Sequence, residues 1–184
     1  MSMLAVVVVY NVRDSQSKAA EYSVTVTGVA GLDPARDVSA GAGRRGASLS
    51  PVFNLTLGID NSRNTQGTEC VGALSTAAVS YGGAILARGP VPPFCAEEKQ
   101  RSEPMPASAW GQDVALPQFL RDRLAGELAA GEAAVDVQVT MPAQCYECND
   151  RVLGCNKAKI GGGPAPCRLD YVYPRPEPAE GSTG

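Results

Sequence analysis

Hydrophobic and polar side chains alternate along much of this chain with the period of two that marks a strand buried on one face. The cleanest run sets Phe53, Leu55, Leu57 and Ile59 against Asn54, Thr56, Gly58 and Asp60, and it ends in the turn-forming cluster Asp60-Asn61-Ser62-Arg63-Asn64. Tyr22, Val24 and Val26 against Ser23, Thr25 and Thr27 give an earlier strand. Val135, Val137, Val139 and Met141 give a later one within residues 133–141. Residues 71–80 and 84–91 flank Tyr81-Gly82-Gly83, where a Gly-Gly connection suits the turns that match strand twist, so a hairpin is expected. Pro90, Pro92 and Pro93 close it, since proline cannot continue a ladder. The period changes once. Leu116, Leu120, Leu124 and Leu128 recur every four residues with Phe119 beside them, while Arg121, Asp122, Arg123 and Glu127 fall elsewhere around the wheel. The spacing predicts an amphipathic helix over 117–130, with Pro117 as its first residue, Gly131 as its left-handed stop and the leucine stripe as core packing.

The remaining stretches lack such periodicity. Residues 33–51 are rich in Gly, Ala, Ser and charge and read as a long loop; the segment from 142 to 166 is rich in Cys and Gly and irregular; residues 169–173 supply a last strand. The resulting division is an N-terminal apolar segment over 1–19, a β domain over 20–173 with a cysteine-rich excursion at 145–167, and a disordered tail over 174–184. The apolar run from Met3 to Tyr10 is too short for the roughly 20 residues that cross a bilayer, so it is read as the remnant of a membrane anchor or as an extra strand.

Composition narrows the function. A chain of 184 residues suits one domain, and 20 Gly with 14 Pro favours strands and turns. The net charge of −3 gives no basic footprint for nucleic acid; Arg44-Arg45, and Arg121 with Arg123, read as solvated charges. The sequence contains no histidine, which removes Ser-His and Cys-His nucleophile systems and His-dependent metal sites. No carboxylate pair has a spacing that singles it out, so the chain is read as non-enzymatic, with no catalytic residue, no cofactor and no identifiable small-molecule substrate.

Three features need separate weighing. Gly41-Ala42-Gly43-Arg44-Arg45-Gly46 has dinucleotide-binding glycine spacing, but loop precedes it and Ser-Leu-Ser-Pro follows, so it is a coincidence of composition. Gly161-Gly162-Gly163 reads as a flexible turn. The six cysteines, Cys70, Cys95, Cys145, Cys148, Cys155 and Cys167, are all disulfide candidates. A hairpin centred between Gly82 and Gly83 sets Cys70 opposite Cys95. For the later four, disulfides, free or mixed thiols and a four-thiolate zinc site all stay open; against zinc, Cys155 and Cys167 do not repeat the close spacing of Cys145 and Cys148. Asn54-Leu55-Thr56 is a glycosylation sequon whose Asn54 faces away from the apolar side of its strand.

The order of these elements over residues 20–142 resembles the plant late embryogenesis abundant subgroup-2 domain, also called the water-stress and hypersensitive-response domain, of harpin-induced-like proteins. The residues that carry it are the Phe53 to Ile59 strand running into Asp60-Asn61-Ser62-Arg63-Asn64, then Val79-Ser80-Tyr81-Gly82-Gly83, then Pro92-Pro93-Phe94. Asn61-Ser62-Arg63-Asn64 stands where that family has an Asn-Pro-Asn turn. The resemblance implies an antiparallel sandwich of immunoglobulin or fibronectin-III type with one amphipathic helix. It also implies a non-catalytic, membrane-associated role in stress or defence, with the domain extracytoplasmic and acting on an unknown protein partner or a membrane surface. The alternatives are a soluble intracellular, cytoplasmic desiccation-protective protein and a small zinc-binding interaction module.

Overall fold

The computed structural model describes residues 18–39, 48–145 and 148–172. The apolar run at 3–10, the glycine cluster at 41–46 with Arg44-Arg45, and the tail over 174–184 lie outside them.

Ten strands form among the described residues: β1 (Glu21–Ala30), β2 (Val52–Asp60), β3 (Glu69–Val71), β4 (Thr76–Tyr81), β5 (Ala84–Pro90), β6 (Phe94–Ala96), β7 (Met105–Trp110), β8 (Ala134–Met141), β9 (Asp150–Lys159) and β10 (Ala165–Val172). Eight of them close into an antiparallel barrel in the order β1-β10-β9-β8-β4-β5-β7-β2, while β3 and β6 pair as a separate two-stranded sheet. The expected open sandwich is therefore wrong. Period-two alternation reports only that one face of each strand is buried; it does not distinguish a second sheet lying opposite from the same sheet curled onto itself.

Closure rests on a narrow seam. β5 and β7 share one pair, Arg88 with Trp110, and two glycines let the backbones meet. A Cβ on Gly89 would stand 1.9 Å from the Ser108 carbonyl oxygen, and one on Gly111 would stand 2.0 Å from that of Leu86. No side chain fits at either position. Eight strands enclose a space that side chains alone can fill. Val24, Val26, Phe53, Leu55, Ile59, Val79, Leu86, Val137, Val139, Met141 and Leu153 fill it, each at most 2% exposed. The outward positions Ser23, Thr25, Asn54, Thr56, Gln138 and Thr140 are polar, the reverse of the lipid-facing pattern of a membrane barrel. Among the described residues, no helix is long and apolar enough to cross a membrane.

The one α-helix among the described residues, α1 (Gln118–Ala129), covers one end of the barrel together with a π-helical turn at Pro34–Ser39. Leu116, Leu120 and Leu124 are buried, as are Leu32 and Val38 from the opposing segment. The helix stops as its sequence implies: Gly131 takes φ 67, its N–H donates to the Leu128 carbonyl, and the Glu132 N–H donates to that of Glu127. Pro117 lies just before the helix with φ −54 and ψ 144, outside the first turn. Two other expectations change. Arg121 is 3% exposed and belongs to the packed side of α1, whereas Phe119 is 70% exposed. The 33–51 stretch is a loop only in part, since Leu49 and Val114 exchange backbone hydrogen bonds of 2.9 and 2.8 Å.

Four strands went unread in the sequence: β3, β6, β7 and β9. The last runs through the segment expected to be irregular.

Candidate functional site

At the helix-covered end, the β4–β5 turn, the α1 side chains and the start of β8 enclose an open cavity of about 520 Å³. Tyr81, Arg123, Glu127, Glu132, Asp136, Asn156 and Lys157 supply its polar lining. Tyr81 ends β4 just past a register shift between Val79 and Ser80, which turns its ring under the helix. It is buried, and its hydroxyl makes no hydrogen bond of ordinary geometry. Burial, followed by the nearby Glu127 carboxylate, raises the pKa of that hydroxyl above the usual tyrosine value, so it stays protonated and able to donate. The Arg123 guanidinium lies 5.2 Å from the ring centre and its Nε donates to Glu127 Oε1 at 2.9 Å, one helical turn along.

The opposite wall is a second irregularity. Between Val135 and Val137 the β8–β9 register shifts, Lys157 takes φ 55, and its N–H donates to Asp136 Oδ1 at 2.9 Å. That carboxylate bond is what steadies a lysine in left-handed backbone. The cavity thus presents three carboxylates, two cations and a phenol that remains a donor, an arrangement suited to hydrogen-bonding a polar group. Sequence reasoning missed this cluster, although the Arg123 and Glu127 spacing was visible; Tyr81 and Lys157 carry no mark in the sequence.

The other end of the barrel is held by cross-links. Cys70 and Cys95 are direct register partners between β3 and β6 and form a disulfide, as the hairpin symmetry implied. Cys145 bonds Cys148 in the β8–β9 loop, and Cys155 of β9 bonds Cys167 of β10. No free cysteine remains among the described residues. The four thiolates of the zinc alternative are consumed in these last two bonds, and no group of His, Cys, Asp and Glu among the described residues is placed to hold a metal ion.

Tyr22, Glu69 and Arg151 join three strands at this end. The Tyr22 hydroxyl donates to Glu69 Oε2 at 3.0 Å, and Arg151 reaches the same carboxylate at 3.5 Å and the Cys70 carbonyl at 2.7 Å. Burial first, then the Glu69 charge, pushes the Tyr22 hydroxyl well above the usual tyrosine range. Asn54 lies exposed on the outer face of β2, as its place in the alternation implied.

Comparison of the chain with protein-family models, curated proteins and solved structures found no match in any of the three.

Proposed function

We propose that this chain is a non-catalytic interaction domain of a plant stress or defence protein, working at a membrane surface in an oxidising, extracytoplasmic compartment. The observation that carries the compartment is the pairing of all six cysteines into three disulfides. Such bonds persist in the secretory lumen and outside the cell, and cytosolic reductants open them. Exposure of Asn54 on the outer face of β2 supports the same placement, because the sequon is reachable by a glycosyl-transferring enzyme only there. The non-catalytic reading rests on the sequence, which has no histidine to serve a Ser-His or Cys-His system; the cavity at the helix-covered end offers hydrogen bonds and charge to a polar group of a partner. A rigid barrel with two decorated ends suits partner recognition. The stress or defence assignment rests on the resemblance of the strand, turn and hairpin order alone, and a fold by itself specifies no task.

The test is topology. A tagged chain expressed in plant cells is expected to be protease-protected in microsomes and to shift in mobility on glycosidase treatment, with the shift lost in Asn54→Gln. Complete protease sensitivity with free thiols would replace this reading by the soluble intracellular one.

A further inference from the structure

The three disulfides are held in different ways. Cys70 and Cys95 lie opposite one another in the β3–β6 ladder with a Cα separation of 4.1 Å. Cys155 and Cys167 sit on adjacent strands of the barrel wall, also 4.1 Å apart, and Cys155 is fully buried. In both, strand pairing holds the sulfurs together whether or not they are bonded, so a reduced pair recloses as an intramolecular reaction of positioned groups. Cys145 and Cys148 are different. Both are exposed, they are three residues apart in the loop joining β8 to β9, and no ladder spans them. Their local support is a turn bond in which the Cys148 N–H donates to the Cys145 carbonyl at 3.1 Å. The base of the loop is fixed independently of the sulfurs. The Ala143 N–H donates to Asp150 Oδ1 at 2.8 Å, and the Gln144 side-chain amide donates to the Pro142 carbonyl at 3.1 Å.

We propose that the Cys145–Cys148 bond is a thiol–disulfide exchange site for low-molecular-weight thiols of the glutathione class, opening and closing while the other two disulfides stay intact. A small-molecule thiolate attacks one of the two sulfurs; the protein S–S bond breaks, a mixed disulfide forms, and the other cysteine leaves as a thiolate that takes up a proton. A second small thiolate attacks the small-molecule sulfur of the mixed disulfide, releasing the oxidised dimer and the second cysteine, which is protonated in turn. Two small thiols lose two electrons and two protons to one protein disulfide. Attack needs an approach along the S–S axis, which both sulfurs of the exposed pair permit, whereas in Cys155–Cys167 the buried Cys155 sulfur is closed to it and only the half-buried Cys167 sulfur is left to attack. The exposed Cys95 makes Cys70–Cys95 the nearest competitor, but opening it leaves both thiols facing across paired strands.

The test uses the full oxidised chain in glutathione buffers of graded ratio, with quenching by an alkylating agent and mapping of the modified peptides. Alkylation is expected on Cys145 and Cys148 first, with initial reduction ~10-fold faster than at either other bond and the far-ultraviolet dichroism unchanged. The Cys145→Ser/Cys148→Ser variant is expected to fold and to show no alkylation in that window, and Cys148→Ser alone to accumulate a mixed disulfide at Cys145. First labelling at Cys70 and Cys95, or at Cys155 and Cys167, would overturn the proposal. So would opening of Cys145–Cys148 only together with global unfolding.

Discussion

Asn61 gives the sharpest test of how the cross-linked end is held. The residue is fully buried, and its side-chain amide nitrogen lies 2.9 Å from the Gly67 carbonyl, 3.1 Å from that of Ala96 and 3.0 Å from that of Glu97. Two N–H protons thus serve three acceptors and tie the β2–β3 turn to the segment after β6. Its backbone is engaged separately, donating to the Gln100 carbonyl at 2.9 Å and accepting from the Asn64 N–H at 3.1 Å, so truncation of the side chain leaves those bonds in place. Asn61→Ala strips one partner from each of three carbonyls, that of Ala96 buried and those of Gly67 and Glu97 partly so. An unsatisfied buried group costs about 1–3 kcal/mol, and an acceptor less than a donor because water can reach a second lone pair. Summed over the site, the expected loss is about 3 kcal/mol.

For a chain of this size that loss lowers Tm by roughly 6–12 °C. The assay is urea and thermal unfolding of the oxidised protein, followed by far-ultraviolet dichroism. Asn61→Asp serves as the isosteric comparison, because it sets a carboxyl group against the same three carbonyls. A negative charge there is disfavoured, so the folded-state carboxyl titrates above its unfolded value. The folded state then binds more protons than the unfolded one, and the variant loses stability as pH rises through that range. A loss below about 1 kcal/mol for Asn61→Ala, or a pH-independent Asn61→Asp, would refute the account of Asn61 as the tie between these segments.

Other expectations follow from the seam, the helix, the barrel wall and one carboxylate. Gly89→Ala drives a Cβ into the Ser108 carbonyl and should cost ~3 kcal/mol or more, read as loss of soluble folded protein or a collapsed urea midpoint. Gly126→Ala, in α1 with nothing within 4 Å of its added methyl, should instead stabilise by ~0.5–1 kcal/mol in the same urea titration. Replacing Cys155 and Cys167 together by Ala should cost ~3 kcal/mol, with the barrel's dichroism retained at low temperature. Hydrogen bonds from the Ser62 hydroxyl and N–H, with Arg101 adding to them, hold the Asp60 carboxyl below its ordinary 3.8. Its contribution to stability is therefore present above that value and lost as pH falls through the depressed one. The stability gap between the native chain and Asp60→Asn should shrink on acidification, and a gap that stays constant in pH-dependent urea unfolding would contradict this.

The strands that could be read directly are those whose inward side chains are large. β2 and β8 match their alternation almost residue for residue because Phe53, Leu55, Leu57 and Ile59, and Val135 through Met141, are both strongly apolar and inward. β7 buries only Ala107 and Ala109, so its period was too faint against Pro106 and Ser108. In β9 the extra residue at the Lys157 bulge breaks the period halfway along. Arg121 was misplaced because a helix that covers a barrel end is buried over a wider arc than its leucine stripe. The Cys70–Cys95 pairing was legible for a subtler reason. The bulge at Val79 and Ser80 shifts the hairpin register by one residue, and the unequal segments 72–75 and 91–93 shift it back before Cys70 meets Cys95. Barrel closure had no such signal, since it depends on Gly89 and Gly111 meeting backbone from strands distant in sequence.

The two ends of the barrel solve the same problem by different means, and this bears on how a partner would meet them. At one end α1 and the π-helical turn bury Leu120, Leu124 and Val38, so hydrophobic burial orders the loops there. At the other end the covering segments are short; β3 and β6 bury Val71, Phe94 and Ala96, and the Asn61 ties, the Tyr22–Glu69–Arg151 contacts and the Cys70–Cys95 bond add the order that a helix supplies at the first end. Loops ordered by covalent and hydrogen-bonded ties before any encounter lose little conformational freedom on binding, which favours recognition by a preformed surface. The Cys145–Cys148 loop sits among them with its base fixed and its sulfurs exposed. Opening that bond would add freedom to one segment of an otherwise rigid face, so a partner contacting the loop should bind the reduced form more weakly, while one contacting the helix-covered end should be indifferent to it.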